Sequence, residues 1–482
     1  MKTRFAPSPT GPFHIGGLRT ALLVKALAEK NGGEAILRLE DTDLKRSLPV
    51  YEADITNSLN WAGVYFPHPY VKQSDKLDRY ASVIDKLLKN GSAYHCYMTL
   101  DELNDFRLDV KAKNKANPSF KLPEKYDNRY RPEKWVKGIP FDVKAKNPHP
   151  VVRLRMPEEG TTQWKDMAKG GISVPNSQLD DLIIARADGS PTYNFVVVVD
   201  DLDMGITHVI RGDDHISNTP KQLQIASILK ALPEFAHHDK INYCHVPLMM
   251  NPDGTKISKS ALADPKNQAK VAQGQIVPAS LADYKKMGIL PEALVNYLLL
   301  ISAQKTVEKT HSEIFNYHTF VKVFDFSDLS VSAAKFDLNK LKEINFHHIT
   351  NLDNGTFKNK VQEFSATTDK PLNLDDINFT VIADEVKKRS KTLTQAHDIV
   401  AIAINTKNKM ASMELTDFHL ALINAPDHDI FKEVVTQEAQ KQGNKFGDIA
   451  KFLRTEFEMT SGLPLWETFE AVKPKKSPTM KM

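Results

Sequence analysis

The sequence predicts an α/β protein: a parallel-sheet domain comes first, an α+β insertion interrupts it, and helices follow to the end. Three observations predict this class. Residues 3–6 and 35–39 read as short strands flanking a stretch, from Gly16 on, in which Leu18, Leu22, Leu23 and Leu27 recur near helical spacing. Residues 193–199 form a continuous apolar run, as expected of a strand buried on both faces of a parallel sheet, and 208–210 read as another short strand. Beyond residue 329 the segments 332–341, 381–391 and 430–442 all read as helix.

Element by element, the first strand runs into two prolines and Gly11, which force an irregular loop. The loop delivers His14 and the pair Gly16-Gly17 to the start of the first helix. Such a helix start offers unpaired N–H groups and a positive dipole end, a natural seat for phosphates. The glycines leave the backbone open to close approach, and the His14 imidazole can donate to a phosphate oxygen. The second strand ends in Glu40-Asp-Thr-Asp, acidic residues at the carboxyl end of a strand, where open α/β sheets place their sites. Residues 54–59 continue as helix. Helix 81–88 ends at Asn90-Gly91, and Ala187-Asp-Gly-Ser-Pro is turn chemistry before the sheet resumes. Asn218-Thr-Pro opens a helix after 208–210. Pro291-Glu-Ala-Leu-Val-Asn-Tyr-Leu-Leu-Leu reads as a well-buried helix.

The 482 residues correspond to roughly three or four domains. Hydrophobic content of 41% and charged content of 26% are those of an ordinary globular chain. Met1-Lys-Thr-Arg-Phe leads straight into the first strand, which leaves no room for a signal peptide. The longest apolar runs fall far short of the ~20 residues a membrane span needs. Two cysteines, Cys96 and Cys244, argue against a disulfide framework and suit a reducing cytoplasm. The net charge is only +4, but residues 111–153 hold twelve Lys/Arg against four Asp/Glu. With Tyr126, Tyr130 and Trp135 interleaved, this stretch suits nucleic-acid phosphates.

Neither Walker A nor G-x-G-x-x-G is present. A second stretch, Asn251-Pro-Asp-Gly-Thr-Lys-Ile-Ser-Lys-Ser, places two lysines, Lys256 and Lys259, three apart beside Ser258 and Ser260. Taken with His14-Ile-Gly-Gly, it resembles the paired signatures of class I aminoacyl-tRNA synthetases, with Gly17 where many members have a second His. Arg4-Phe-Ala-Pro-Ser-Pro-Thr-Gly, Leu39-Glu-Asp-Thr-Asp, Pro191-Thr-Tyr-Asn-Phe and Ile210-Arg-Gly-Asp-Asp-His-Ile-Ser-Asn-Thr-Pro narrow the resemblance to the bacterial-type glutamate branch. It is dense from residue 1 to about 345 and looser beyond.

The resemblance implies a Rossmann-like catalytic domain in two halves, 1–81 and 190–245, around an insertion, 82–189, that receives the acceptor end of tRNA. It implies a stem-contact module at 246–328 with the lysine loop, a helical anticodon-binding domain at 329–472, and a basic tail at 473–482. The implied reaction joins L-glutamate to ATP as glutamyl-adenylate and then passes the acyl group to a ribose hydroxyl of tRNA(Glu). Charging of tRNA(Gln) as well is left open, because few anticodon contacts decide it. His14, Gly16, Gly17, Asp214, Lys256 and Lys259 are implied to hold ATP, with His14 and Lys259 catalytic and Mg²⁺ arriving with the nucleotide. Arg4, Ala6, Ser8, Glu40, Arg46, Tyr193 and Arg211 are implied to hold glutamate: Arg4 and Arg211, at sheet edges facing the cleft, for its side-chain carboxylate, with Arg46 assisting, and Glu40 for its ammonium group. Some members carry a zinc knuckle in the insertion. Here Met98 and Tyr130 stand where ligands are needed, and one thiol cannot hold a tetrahedral zinc, so no zinc is expected. A monomer is the family's default.

Three rivals carry less. The glutamine branch ends in β-barrels, short paralogues lack the last ~150 residues, a domain's length, and a non-catalytic regulator has no need of His14 and Lys259. Only Arg389 and Arg454 occur beyond residue 329, so lysine, amide and backbone contacts must supply much of any anticodon readout.

Overall fold

The computed structural model describes residues 1–117, 125–135, 138–258, 264–459 and 463–473. They fall into two compact units. The first comprises the chain up to 258 with 299–312 and 317–336; the second comprises 264–298, 313–316 and the described residues from 337 on. Among the described residues no helix is long and apolar enough to cross a membrane.

The first unit is organised on a five-stranded parallel sheet. Its strands are β1 (Lys2–Phe5), β2 (Glu34–Leu39), β3 (Val71–Lys72), β9 (His208–Gly212) and β10 (Asn242–Val246), in the order β10-β9-β1-β2-β3. β1 therefore lies in the middle, in register with β2 on one side (Arg4 opposite Ile36) and with β9 on the other (Thr3 opposite His208). Helix α1 (Ile15–Lys30) makes the crossover from β1 to β2. It buries Leu18, Leu22, Leu23 and Leu27, the residues whose spacing announced it. α2 (Pro49–Trp61) and α3 (Leu77–Lys89) follow.

Between α3 and the return to the sheet, β4 (Ala93–Cys96), β5 (Val151–Leu154) and β8 (Leu182–Ala185) form a three-stranded antiparallel sheet. β6 (Thr161–Asp166) and β7 (Gly170–Pro175) form a hairpin. Val152, Leu154, Trp164 and Ile184 from these strands join the same core as Phe195, Val196 and Val209. A smaller cluster holds Tyr94, Cys96, Met98, Tyr126 and Tyr130. There the Cys96 thiol lies 3.6 Å from the Tyr126 hydroxyl, and Tyr130 hydrogen-bonds Glu102.

Two sequence expectations are corrected here. Residues 193–199 are not a strand: Tyr193–Asp203 is a helix, and the parallel sheet resumes only at β9. Phe195 to Val199 are at most 1% exposed, so every side of this helix is covered. An apolar run without gaps has no period to distinguish a buried helix from a buried strand. Likewise residues 332–341 are not one helix. Ala334–Lys335 pairs as a short parallel strand with Met249–Met250, and the helix begins at Leu338, capped by Asp337.

The second unit is helical. Its helices include Leu338–Thr350, Asn354–Ser365, Phe379–Arg389, Leu393–Ser412, His428–Lys441 and Phe446–Glu456. Asp337, Asp353, Thr392, Thr416 and Asp427 each accept a backbone N–H at a helix start, the sequence chemistry that sets those boundaries. Gly288 (φ +70°) is required by close backbone approach: a Cβ there would stand 2.5 Å from the backbone nitrogen of Thr394.

Candidate active site

Strand β1 ends in the loop 6–14, and three contacts shape it. Glu40 donates its backbone N–H to the Pro7 carbonyl, Leu48 donates to Pro9, and the Phe13 N–H donates to the Asp54 carboxylate at 2.6 Å. His14 then caps α1, its Nδ1 accepting the Gly17 N–H at 3.1 Å. An accepting Nδ1 puts the proton of the neutral ring on Nε2, so the imidazole keeps a donor. The Gly17 N–H is thereby engaged by the protein itself. The glycines have packing reasons too: a Cβ on Gly17 would lie 2.6 Å from the Phe13 ring, and one on Gly16 2.9 Å from the His14 Nδ1.

Arg4 and Arg211 stand on the adjacent interior strands β1 and β9, rather than at sheet edges. Both are buried. Arg4 places Nε and Nη2 on the Asp201 carboxylate at 3.1 and 3.4 Å, leaving Nη1 without a hydrogen bond among the described residues. Arg211 is held entirely by neutral groups: Nε donates to His245 Nε2 (3.1 Å), Nη1 to Gln222 (2.7 Å) and Nη2 to Thr219 (2.8 Å). Among the described residues no carboxylate lies within ion-pairing distance of it. Burial lowers its pKa, and the nearby Arg4 charge adds to that, while Tyr243, Tyr193 and Asp201 oppose it. A buried cation without a counter-ion is costly unless something anionic joins it.

Glu40 and Tyr193 converge on the same place. Burial pushes the Glu40 carboxyl above its ordinary range, although the Arg38 and Arg4 charges pull it down. Burial and then the Glu40 charge raise the Tyr193 hydroxyl, while Arg211 and Arg4 act against them. The Tyr193 hydroxyl lies 3.4 Å from His215 Nδ1. Ala6 is half-buried and Ser8 exposed on the loop. Arg46 is placed differently: its side chain is 73% exposed and pairs with Asp43 at 2.7 Å. The exposed Lys256 meets Asp214 at 3.3 Å. Lys259 lies outside the described residues.

Residues that sequence reasoning missed hold this centre in place. Arg38, fully buried on β2, donates to Asp201 at 2.7 Å and lies 3.7 Å from Asp200 and 3.5 Å from Glu40. Asp200 also accepts from Tyr80 and Gln73. Burial opposes ionisation of Asp201, yet the Arg4 and Arg38 charges hold its pKa below the ordinary value. The only sequence signal was the doubled Asp200-Asp201 inside an apolar helix. In the second unit, Arg389 pairs with Glu385, and Arg454 donates to the Leu463 carbonyl.

Comparison with known proteins shows the family. Residues 1–343 match the family model described as tRNA synthetases class I (E and Q), catalytic domain. A glutamate–tRNA ligase of Neisseria meningitidis serogroup B is 40% identical over 471 residues, covering 92% of each chain. One of Aromatoleum aromaticum is 39% identical over 421 residues, covering 86% of this chain and 82% of its own. Among solved structures, a glutamate tRNA ligase from Elizabethkingia meningosepticum in complex with its amino acid superposes with a TM-score of 0.73 at 25% identity, over 97% of this chain and 95% of its own. With a buried pair of arginines on adjacent parallel strands, and this similarity along nearly its whole length, the chain belongs to the class I aminoacyl-tRNA synthetases, in the glutamate–tRNA ligase family.

Proposed function

We propose that this chain attaches L-glutamate to tRNA(Glu) at the expense of ATP, and that Arg211 and Arg4 form the seat of the glutamate side chain. The observation that carries this reading is Arg211, a buried guanidinium hydrogen-bonded only to neutral groups. A substrate carboxylate supplies the missing negative charge, and Arg4 Nη1 offers a second donor. Arginine suits this task because its planar fork matches a carboxylate. Glutamine puts a neutral amide there and leaves the cation poorly paired, at a cost of ~2–5 kcal/mol. Aspartate is one methylene short of the seat.

Glu40 takes the substrate ammonium group, and Tyr193 and the Ala6–Ser8 segment complete the seat. His14, through the proton on Nε2, and Gly16, at the start of α1, hold phosphates of ATP, with Gly17 keeping the helix start open. Lys256, Lys259 and Asp214 belong to the same nucleotide site, and Mg²⁺ enters with ATP. The glutamate α-carboxylate attacks the α-phosphorus and pyrophosphate leaves; a ribose hydroxyl of the tRNA then attacks the acyl carbon and AMP leaves. Positioning and charge neutralisation do most of the work in such phosphoryl chemistry. Arg46, exposed and paired with Asp43, stands outside this core set.

The test is aminoacylation with radiolabelled glutamate on purified tRNA(Glu) and tRNA(Gln) side by side. Charging of tRNA(Glu) that falls at least about thirtyfold in kcat/KM in Arg211→Ala supports the reading; that factor is the lower end of the ~2–5 kcal/mol of a lost buried ion pair. No charging of either tRNA by the wild-type protein overturns it. Charging of both defines a relaxed enzyme with the same seat.

A further inference from the structure

Directly behind Arg211 lies a second buried pair, neither member of which is assigned above to glutamate or ATP. His245, on β10, and Asp166, at the end of β6, are both fully buried, and His245 Nδ1 stands 2.5 Å from Asp166 Oδ2. The other ring nitrogen, Nε2, lies 3.1 Å from Arg211 Nε and 3.0 Å from the Thr219 hydroxyl. Arginine Nε can only donate, so His245 Nε2 must accept, and the ring proton sits on Nδ1, facing Asp166. Asp166 is itself tightly held. Its Oδ1 accepts the backbone N–H groups of Ala168, Lys169 and His245, at 3.0, 3.0 and 3.2 Å.

We propose that Asp166 and His245 are positioning residues for glutamate recognition: Asp166 fixes the His245 tautomer that accepts from Arg211, and so keeps the Arg211 guanidinium aimed at the substrate carboxylate. This rests on Arg211 being the glutamate seat. The charged and titratable groups around the ring agree with a neutral imidazole. Asp166 and Asp213 favour its protonation, but burial and the Arg211 cation hold its pKa below the ordinary 6.5. His215 is nearby, and the Tyr243 ring stacks parallel to the imidazole at 6.1 Å. Asp166 stays ionised: burial opposes this, but the His245 hydrogen bond and the backbone N–H groups of Lys169 and His245 outweigh it.

The geometry makes Asp166→Asn a sharp test. The three backbone donors at Oδ1 require the amide oxygen to remain there, which turns the NH₂ group toward His245 Nδ1. Nδ1 must then accept, the proton moves to Nε2, and Nε2–H meets Arg211 Nε–H, donor against donor. Substitution of a carboxylate by its amide is known to trap the wrong histidine tautomer in a catalytic triad. The conflict costs a buried hydrogen bond and displaces Arg211, so the KM for glutamate in aminoacylation should rise about ten- to a hundredfold. The KM for ATP should stay within about twofold, because His14 and Lys256 lie outside this chain of contacts.

His245→Gln supplies the control. Its amide oxygen takes the place of Nε2 and accepts from Arg211 whatever residue occupies 166. In that background Asp166→Asn should leave the glutamate KM unchanged, a non-additivity that a merely structural role does not produce. Spectra of ¹⁵N-histidine-labelled protein, with His245→Gln to assign the signal, should show the Nδ1–H tautomer in wild type and Nε2–H in Asp166→Asn. An unaltered glutamate KM in Asp166→Asn, an equal loss in the double variant, or an Nε2–H tautomer in wild type overturns the proposal. The last of these is read on the wild-type protein, so it decides the matter even if Asp166→Asn fails to fold. Arg211→Lys separates the two readings. An unchanged glutamate KM there overturns the seat itself; a raised one beside a normal Asp166→Asn overturns only the tautomer device.

Discussion

Asp201→Asn tests how the charged centre is built. Asp201 is 2% exposed and accepts from two buried guanidiniums, Arg4 at 3.1 and 3.4 Å and Arg38 at 2.7 Å. In the surrounding cluster Arg4, Arg38 and Lys76 balance Glu40, Asp200 and Asp201, so the amide leaves one excess positive charge and points an NH₂ group at a guanidinium. Breaking a buried pair from one side costs about 3–5 kcal/mol. Urea unfolding of the full chain measures it. In a Trp466→Phe background the remaining tryptophans, Trp61, Trp135 and Trp164, all belong to the first unit. With a urea slope of about 3 kcal/mol/M, the midpoint should fall by about 1 M or more. The pH dependence has a definite sign. The folded-state pKa of Asp201 is depressed, so its contribution is present above the unfolded value, about 3.9, and is lost as pH falls through the folded value. The gap between wild type and Asp201→Asn should therefore be constant near neutrality and shrink below about pH 4. A loss under 1 kcal/mol at pH 7, or a gap that widens in acid, refutes this account of the centre.

Two further substitutions probe other parts of the chain. Gly288→Ala should destabilise the second unit by more than about 2 kcal/mol, read from Trp466 fluorescence, because a Cβ meets backbone at 2.5 Å in a left-handed conformation. Lys256→Met should change thermal stability by less than about 0.5 kcal/mol, since its pair with Asp214 is half exposed, while raising the KM for ATP; unchanged ATP kinetics would remove it from the nucleotide site.

The parts of the site legible in the sequence were those encoded locally. The loop from β1 to α1, the strand leading to Glu40 and the stretch of β9 through Arg211 are each contiguous strings, and it is their family resemblance that marked these residues. What was not legible depends on residues far apart. Asp201 meets Arg4 and Arg38 across 197 and 163 positions, and Asp166 meets His245 across 79. No periodicity reports such pairs. The helix Tyr193–Asp203 was read as a strand because Phe195 to Val199 are covered on all sides, and complete burial erases the helical period that would have identified it. Arg46 was named through the resemblance alone, and its side chain is exposed and paired with Asp43.

The place of β1 in the middle of the sheet also governs how the protein is made. One flank of β1 is covered as soon as β2, Glu34–Leu39, has been made. The other waits for β9, and Lys2 finds its partner Thr207 only 205 residues later. At ordinary elongation rates this interval is on the order of 10–40 s. Through that time the nascent chain carries β1 with one open edge, and Arg4 and Arg38 have no Asp201 to meet. An unpaired strand edge is a template for adhesion to other chains. Nascent chains stopped short of residue 200 should therefore bind a holdase chaperone and aggregate when released, and chains extended past β10 should not. The feature that gives the mature site its rigid floor is thus the one that leaves the growing chain most dependent on protection.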